Sequence, residues 1–434
     1  PGTASATPAP AASCRPDTHI PHAPSHRRAR SCGRGGGLCG PGSRRRFGAA
    51  AAVVATLVLA GCAGPDVPPA RVSASAGAAA PSVADVRALL ETRARAVLAG
   101  DSTAVRSTEV AGAVSPVRDR ATSLPFTAWS YDDVEAGPPA EGLVRVEARL
   151  VYRFPGDPAD VAVPVVLALR LGDAGWRVAS ERVAGDRPEP WELDDPVAVS
   201  RPGALVIGIG AASASAARIA DAASDAVGDV SSAVGNAWGE PLSARGVVVV
   251  LVPSSDLLAR GLGRGIDDLE GVGAVTAAAG ATVRGQEQPV RIWVSADVAG
   301  RLDDRGLRVL MRHESVHVAA GSVLAPGAPA WLVEGVAEEI GYGEDVPLRI
   351  AAGPFLGRVA ADGAPASLPT ADDLVGSDLA VGYGGAHVAA DLVADRQGLP
   401  ALLRLYALVR DGSTTVDAAL RVVTDRGLQG FTEA

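Results

Sequence analysis

The chain has 434 residues with 40 basic and 49 acidic side chains, a formal charge of −9, and 47% hydrophobic residues. Every basic residue is arginine and alanine, glycine and valine dominate, which is the imprint of GC-rich coding and leaves propensity a poor guide. That length implies two or three domains with real cores, and the acidic balance excludes the broad basic face that nucleic acid requires.

Residues 1–43 are rich in Pro, Arg, Gly and Ser without periodicity and are expected to form a disordered extension. The first 61 residues hold eight arginines and one acidic residue, Asp17, so the body beyond them is more acidic than the whole. All four cysteines lie early, at Cys14, Cys32, Cys39 and Cys62. Arg44, Arg45 and Arg46 precede an apolar run over 47–60, too short to span a bilayer comfortably and suited to a signal peptide over 44–61. Leu59-Ala60-Gly61-Cys62 then resembles the lipobox of bacterial lipoproteins. The resemblance implies cleavage before Cys62, lipidation of that residue, and anchoring to the outer face of the cell membrane. The Pro-, Ala- and Ser-rich stretch that follows, to residue 81, reads as a tether.

From Ser82 to about Gly100, Val83, Val86, Leu89, Leu90, Val97 and Leu98 recur at helical steps. A second short helix is expected over 102–112. Strand-like runs follow at 143–151, 161–171 and 176–179, with Gly-Asp turns at 156–157 and 172–173. Helices leading into a curled antiparallel sheet, with Arg93-Ala-Arg-Ala-Val-Leu-Ala-Gly-Asp101 closing the first helix, resemble a nuclear transport factor 2-like (SnoaL-like) domain over 82–190. No catalytic constellation stands in this stretch, which reads as a spacer or binding module.

A strand over 204–207 leads into Gly208-Ile-Gly210-Ala-Ala-Ser213 and a long helix over 213–238. This approximates a dinucleotide fingerprint, but Ser213 replaces the third glycine and Asp229 falls inside the helix rather than at a strand end. Nucleotide binding is therefore not expected.

The chemistry lies further on. Val247–Val252 and 289–294 read as strands. Asp304 can cap a helix running to Ala320, with Gly321 as its stop. That helix carries His313-Glu314-Ser315-Val316-His317. Histidines four apart share one helix face and can chelate one Zn²⁺, while Glu314 can take a proton from a water on the metal. Two of the three histidines beyond Cys62 are in this stretch. A second segment, Pro329-Ala-Trp331-Leu332-Val333-Glu334-Gly335-Val336-Ala337-Glu338-Glu339, sets Glu334 on an apolar stripe where a carboxylate needs a cation, either a metal or an arginine. Glu338, one turn on, could accept the second N–H of a ligand histidine, with Glu339 as the alternative.

His-Glu-x-x-His followed by Trp-Leu-x-Glu-Gly-x-Ala-Glu resembles the gluzincin metallopeptidases, most closely their short peptidase MA-like form, over residues 198–434. The resemblance implies one Zn²⁺ per chain held by His313, His317 and Glu334, with Glu314 as general base and a peptide or protein as substrate. It also implies an edge strand for extended peptides, expected around 291–294, and a downstream oxyanion stabiliser, for which Tyr383 and His387 are the candidates. The Gly-x-Met-Glu-Asn motif that binds a free amine in aminopeptidases is absent, so aminopeptidase specificity is not expected. Helices over 399–410 and 416–423, the latter capped by Thr414 or Ser413, close the domain.

The expected class is α+β: a small antiparallel-sheet, cone-like domain followed by a mixed α+β zincin-type metallopeptidase domain. The competing reading is a non-catalytic, zinc-stabilised lipoprotein module that binds cell-envelope peptides or proteins.

Overall fold

The computed structural model describes residues 80–433, except 174, 270, 281–286, 322–324 and 326. The expected extension, signal peptide, lipidated Cys62 and nearly all of the tether lie outside the described residues. No helix among the described residues is long and apolar enough to cross a membrane.

Ser82 and Asp85 cap each other reciprocally and start α1, Val83–Leu98. Its buried face, Val86, Leu90 and Val97, packs on a four-stranded antiparallel sheet in sequential order: β1 (Ala128–Ala140), β2 (Leu143–Arg153), β3 (Val161–Gly172) and β4 (Gly175–Val183). Strand β2 alternates cleanly, with Val144, Val146, Leu150 and Tyr152 inward. The stretch expected to be helical over 102–112 is a helix only over Ser102–Ser107. Beyond it the chain is captured by β4: Val178 donates to Thr108 O, and Val110 donates to Val178 O.

Between α1 and this sheet lies a buried ion network. The Arg93 side chain is fully buried. Its Nε lies 2.8 Å from Glu181 Oε2 and its Nη1 lies 2.8 Å from Glu109 Oε1. Its remaining bonds reach Thr108 and Ser115. Tyr131 donates to the other Glu181 oxygen at 2.7 Å.

The second sheet has five strands in the order β5-β6-β7-β9-β8: Pro196–Arg201, Ala204–Ile209, Val247–Val252, Val290–Ser295 and Ala274–Ala278. Strands β6, β7 and β9 run parallel, with β5 and β8 antiparallel at the two edges. Both faces are covered, which explains the unbroken Val-Val-Val-Val-Leu-Val of β7. Val206, Val249, Leu251, Ile292 and Val294 face a layer of helices. Leu205, Ile207, Val248, Val250 and Trp293 face the core shared with α1 and the first sheet. A buried pair ties the two sheets, Arg291 of β9 being bidentate to Asp157 of the β2–β3 turn.

The helical layer consists of α2 (Ala216–Val234), α3 (Asp304–Ala320), α4 (Ala330–Tyr342), α5 (Leu379–Gln397), α6 (Leu399–Val409) and α7 (Val416–Thr424). Two caps differ from the sequence reading by one residue. Asp303, not Asp304, caps α3, accepting from Gly306 N at 2.7 Å. Thr415, rather than Thr414 or Ser413, caps α7. Asp229 lies inside α2 and pairs with Arg312 of α3, a structural role. The fold is thus mixed α+β with one antiparallel and one mixed sheet. The edge strand is a further correction: β9 is flanked by β7 and β8, and among the described residues the edge strand beside α3 is β8.

Glu189, between the sheets, accepts from the Tyr152 hydroxyl at 2.6 Å. Burial pushes its carboxyl up to about 7 from 4.5, against the pull of that hydrogen bond and of Arg291. Between those two values the folded chain keeps a proton that the unfolded chain releases, so this group's contribution to stability falls as pH rises. The shift corresponds to roughly 3 kcal/mol. Urea midpoints at pH 5 and pH 7 should show Glu189→Gln gaining on the parent at the higher pH. An equal pH slope in both proteins would remove Glu189 as the cause.

Candidate metal centre

The geometry of α3 brings two imidazoles together. His313 and His317 are one turn apart on a helix whose neighbours Met311 and Val316 are wholly buried in the core. Their Nε2 atoms lie 3.1 Å apart. Helix α4 crosses α3 closely and supplies the third corner. Glu334 Oε2 stands 3.3 Å from each Nε2.

The close crossings in this layer explain the glycine after Glu334. A Cβ at Gly335 would lie 2.4 Å from the Ala386 carbonyl oxygen of α5, and one at Gly341 would lie 3.3 Å from His313 Cβ. Alanine at 335 would drive α4 and α5 apart and move Glu334 with them.

The three atoms make a nearly equilateral triangle, and the group could hold a metal ion. A tetrahedral ion with ligand bonds of about 2.0–2.1 Å requires its ligand atoms roughly 3.3–3.4 Å apart, close to the edges found here. Glu334 Oε2 is buried without a well-formed hydrogen bond, as suits an atom placed for a cation. The charges agree. Burial works against ionisation of Glu334, yet His317 and His313 hold it well below the usual carboxylate range. Burial likewise opposes a proton on His313, yet Glu334 and Glu338 raise its affinity well above the ordinary value.

Glu338 stands behind the site, with Oε1 3.0 Å from His313 Nδ1. That contact turns Nε2 toward the triangle and fixes the ring. Glu338→Ala should lower affinity for a divalent metal about 10- to 100-fold, read by competition against a metal buffer. A loss under threefold would mean the ring is oriented by its packing alone.

Glu314 is the next residue on α3 after His313 and is not one of the three corners. Its Oε2 accepts from the Thr276 hydroxyl of β8 at 2.6 Å. The two downstream candidates have different partners. The Tyr383 ring lies 6.0 Å from that of His313, and its phenol is raised well above 10.0 by burial and by Glu334, Glu314 and Glu338. It is thus a neutral hydroxyl at the site. His387 is buried 3.3 Å from Glu339 and stacked on Tyr342 with ring centres 5.3 Å apart. Glu339 therefore serves His387, and Glu338 reaches His313 of the triangle. Sequence reasoning missed Thr276, which no motif marks.

No protein-family model and no curated protein matches the chain. A solved structure of a function-unknown protein from Mycobacterium tuberculosis is similar to part of it, at 12% identity, over 24% of this chain and 74% of that one, with a TM-score of 0.21.

Proposed function

We propose that the chain is a gluzincin-type zinc metallopeptidase, with a zincin-type catalytic portion over residues 198–434 and a nuclear transport factor 2-like portion before it. In this reading it is exported and held at the outer face of the membrane through Cys62. The observation that carries the activity is the triangle of His313, His317 and Glu334 with Glu314 on the adjacent helix position. A set of two imidazoles and one carboxylate suits zinc better than magnesium or calcium, which prefer oxygen. When bound, zinc would lower the pKa of a water and polarise the scissile carbonyl.

The chain's own residues supply the remainder. His313, His317 and Glu334 hold the ion, and Glu338 keeps His313 in the right tautomer. Glu314 takes the proton from the attacking water and returns it to the leaving amine. The neutral Tyr383 hydroxyl, rather than His387, donates to the oxyanion.

The test is zinc content together with hydrolysis of a broad peptide library, with and without chelator. One zinc per chain and chelator-sensitive hydrolysis are expected. Zinc without hydrolysis would favour a binding module for envelope peptides, and absence of zinc would defeat both readings.

A further inference from the structure

We propose that Thr276 is the positioning residue for Glu314, fixing the base from the neighbouring strand; this rests on the reading of Glu314 above. Glu314 is 4% exposed. The Thr276 hydroxyl lies 2.6 Å from Glu314 Oε2 and 3.3 Å from the Glu314 carbonyl oxygen. The shorter contact has the length of a hydrogen bond to an ionised carboxylate. Among the described residues no other hydrogen bond reaches the Glu314 side chain.

The donor is itself rigid. Threonine is stiff at χ1 in a strand. Strand β8 is held antiparallel to β9, with Thr276 opposite Ile292. A glutamate has three rotatable bonds, and a base misplaced by an ångström loses most of its advantage. The hydroxyl removes that freedom by holding one carboxylate oxygen and leaving Oε1 for proton transfer. It also ties the base to the free edge of the sheet, so that β8 and Glu314 move together.

Thr276→Val keeps the branched shape and removes the donor, and Thr276→Ser keeps the donor. The valine variant should lose about 10- to 100-fold in kcat. Its KM and zinc content should stay close to the parent's, and serine should restore most of the rate. A purely structural role would instead move zinc content or KM, or leave serine no better than valine, and either result overturns the proposal, as does a valine kcat close to the parent's.

A second measurement stands apart from catalysis. In the metal-free protein, Thr276→Val should lower Tm in the parent background and leave it nearly unchanged in Glu314→Ala, where the acceptor is gone. Equal lowering in both backgrounds overturns the pairing. If the parent takes up zinc but hydrolyses nothing, the peptidase reading fails while this cycle still decides whether Thr276 holds Glu314.

Discussion

Glu314→Gln should lower kcat for peptide hydrolysis about 10²- to 10⁴-fold, the usual worth of general acid–base catalysis. The amide is nearly isosteric with the carboxylate and its oxygen can still accept from Thr276, so the backbone and β8 should stay in place. Glu314 lies outside the triangle of His313, His317 and Glu334, so zinc content should be unchanged. The variant therefore separates loss of base from loss of metal. His313→Ala, which removes a corner, should lose both. Measured together, zinc stoichiometry and kcat give a clear reading: a Gln variant that keeps a rate within threefold of the parent would leave Glu314 without the role assigned to it.

The second large effect lies far from that site. Arg93→Met should cost about 3–5 kcal/mol, because breaking a buried ion network leaves charge uncompensated. Arg93 stands between Glu109 and Glu181, whose side chains are almost wholly buried. Those carboxylates hold the guanidinium well above its ordinary pKa despite the cost of burial. With methionine, Glu181 would keep only the Tyr131 hydroxyl and Glu109 only Arg118. A loss of this size is a large fraction of a typical domain's stability. Urea unfolding monitored by tryptophan fluorescence measures it. Replacing Arg93, Glu109 and Glu181 together by apolar residues of similar volume should recover much of the loss; failure to recover would point to packing rather than charge.

The contrast between these two sites shows what the sequence could disclose. The histidines at 313 and 317 share a face because helix geometry requires it, and Gly321 and the apolar neighbours mark the helix that carries them, with its cap read one residue late, at Asp304 instead of Asp303. Glu334 was legible because a carboxylate on an apolar stripe needs a cation. The Val-rich run of β7 declared a doubly buried strand. The edge strand was not legible. Ala-Val-Thr-Ala-Ala in β8 is bounded by Gly273 and Gly280 but has no alternation, and in so alanine-rich a chain it resembles loop or helix equally. Thr276 was hidden for the same reason. β1 escaped notice because Gly137, Pro138 and Pro139 read as a break, whereas the strand absorbs them with register shifts. The Arg93 network joins residues up to 88 positions apart, beyond any local pattern.

Both faces of the five-stranded sheet are dry. Leu205, Ile207, Val248, Val250 and Trp293 would be laid open to water if the antiparallel sheet were taken away. The stretch over 82–190 is therefore not a detachable accessory. Excising it would strip the back of the strands that aim α3 and β8, and the remainder would present a sticky apolar slab to solvent. The two stretches share one apolar interior, so a foreign module in place of either would have to match the face that the other presents.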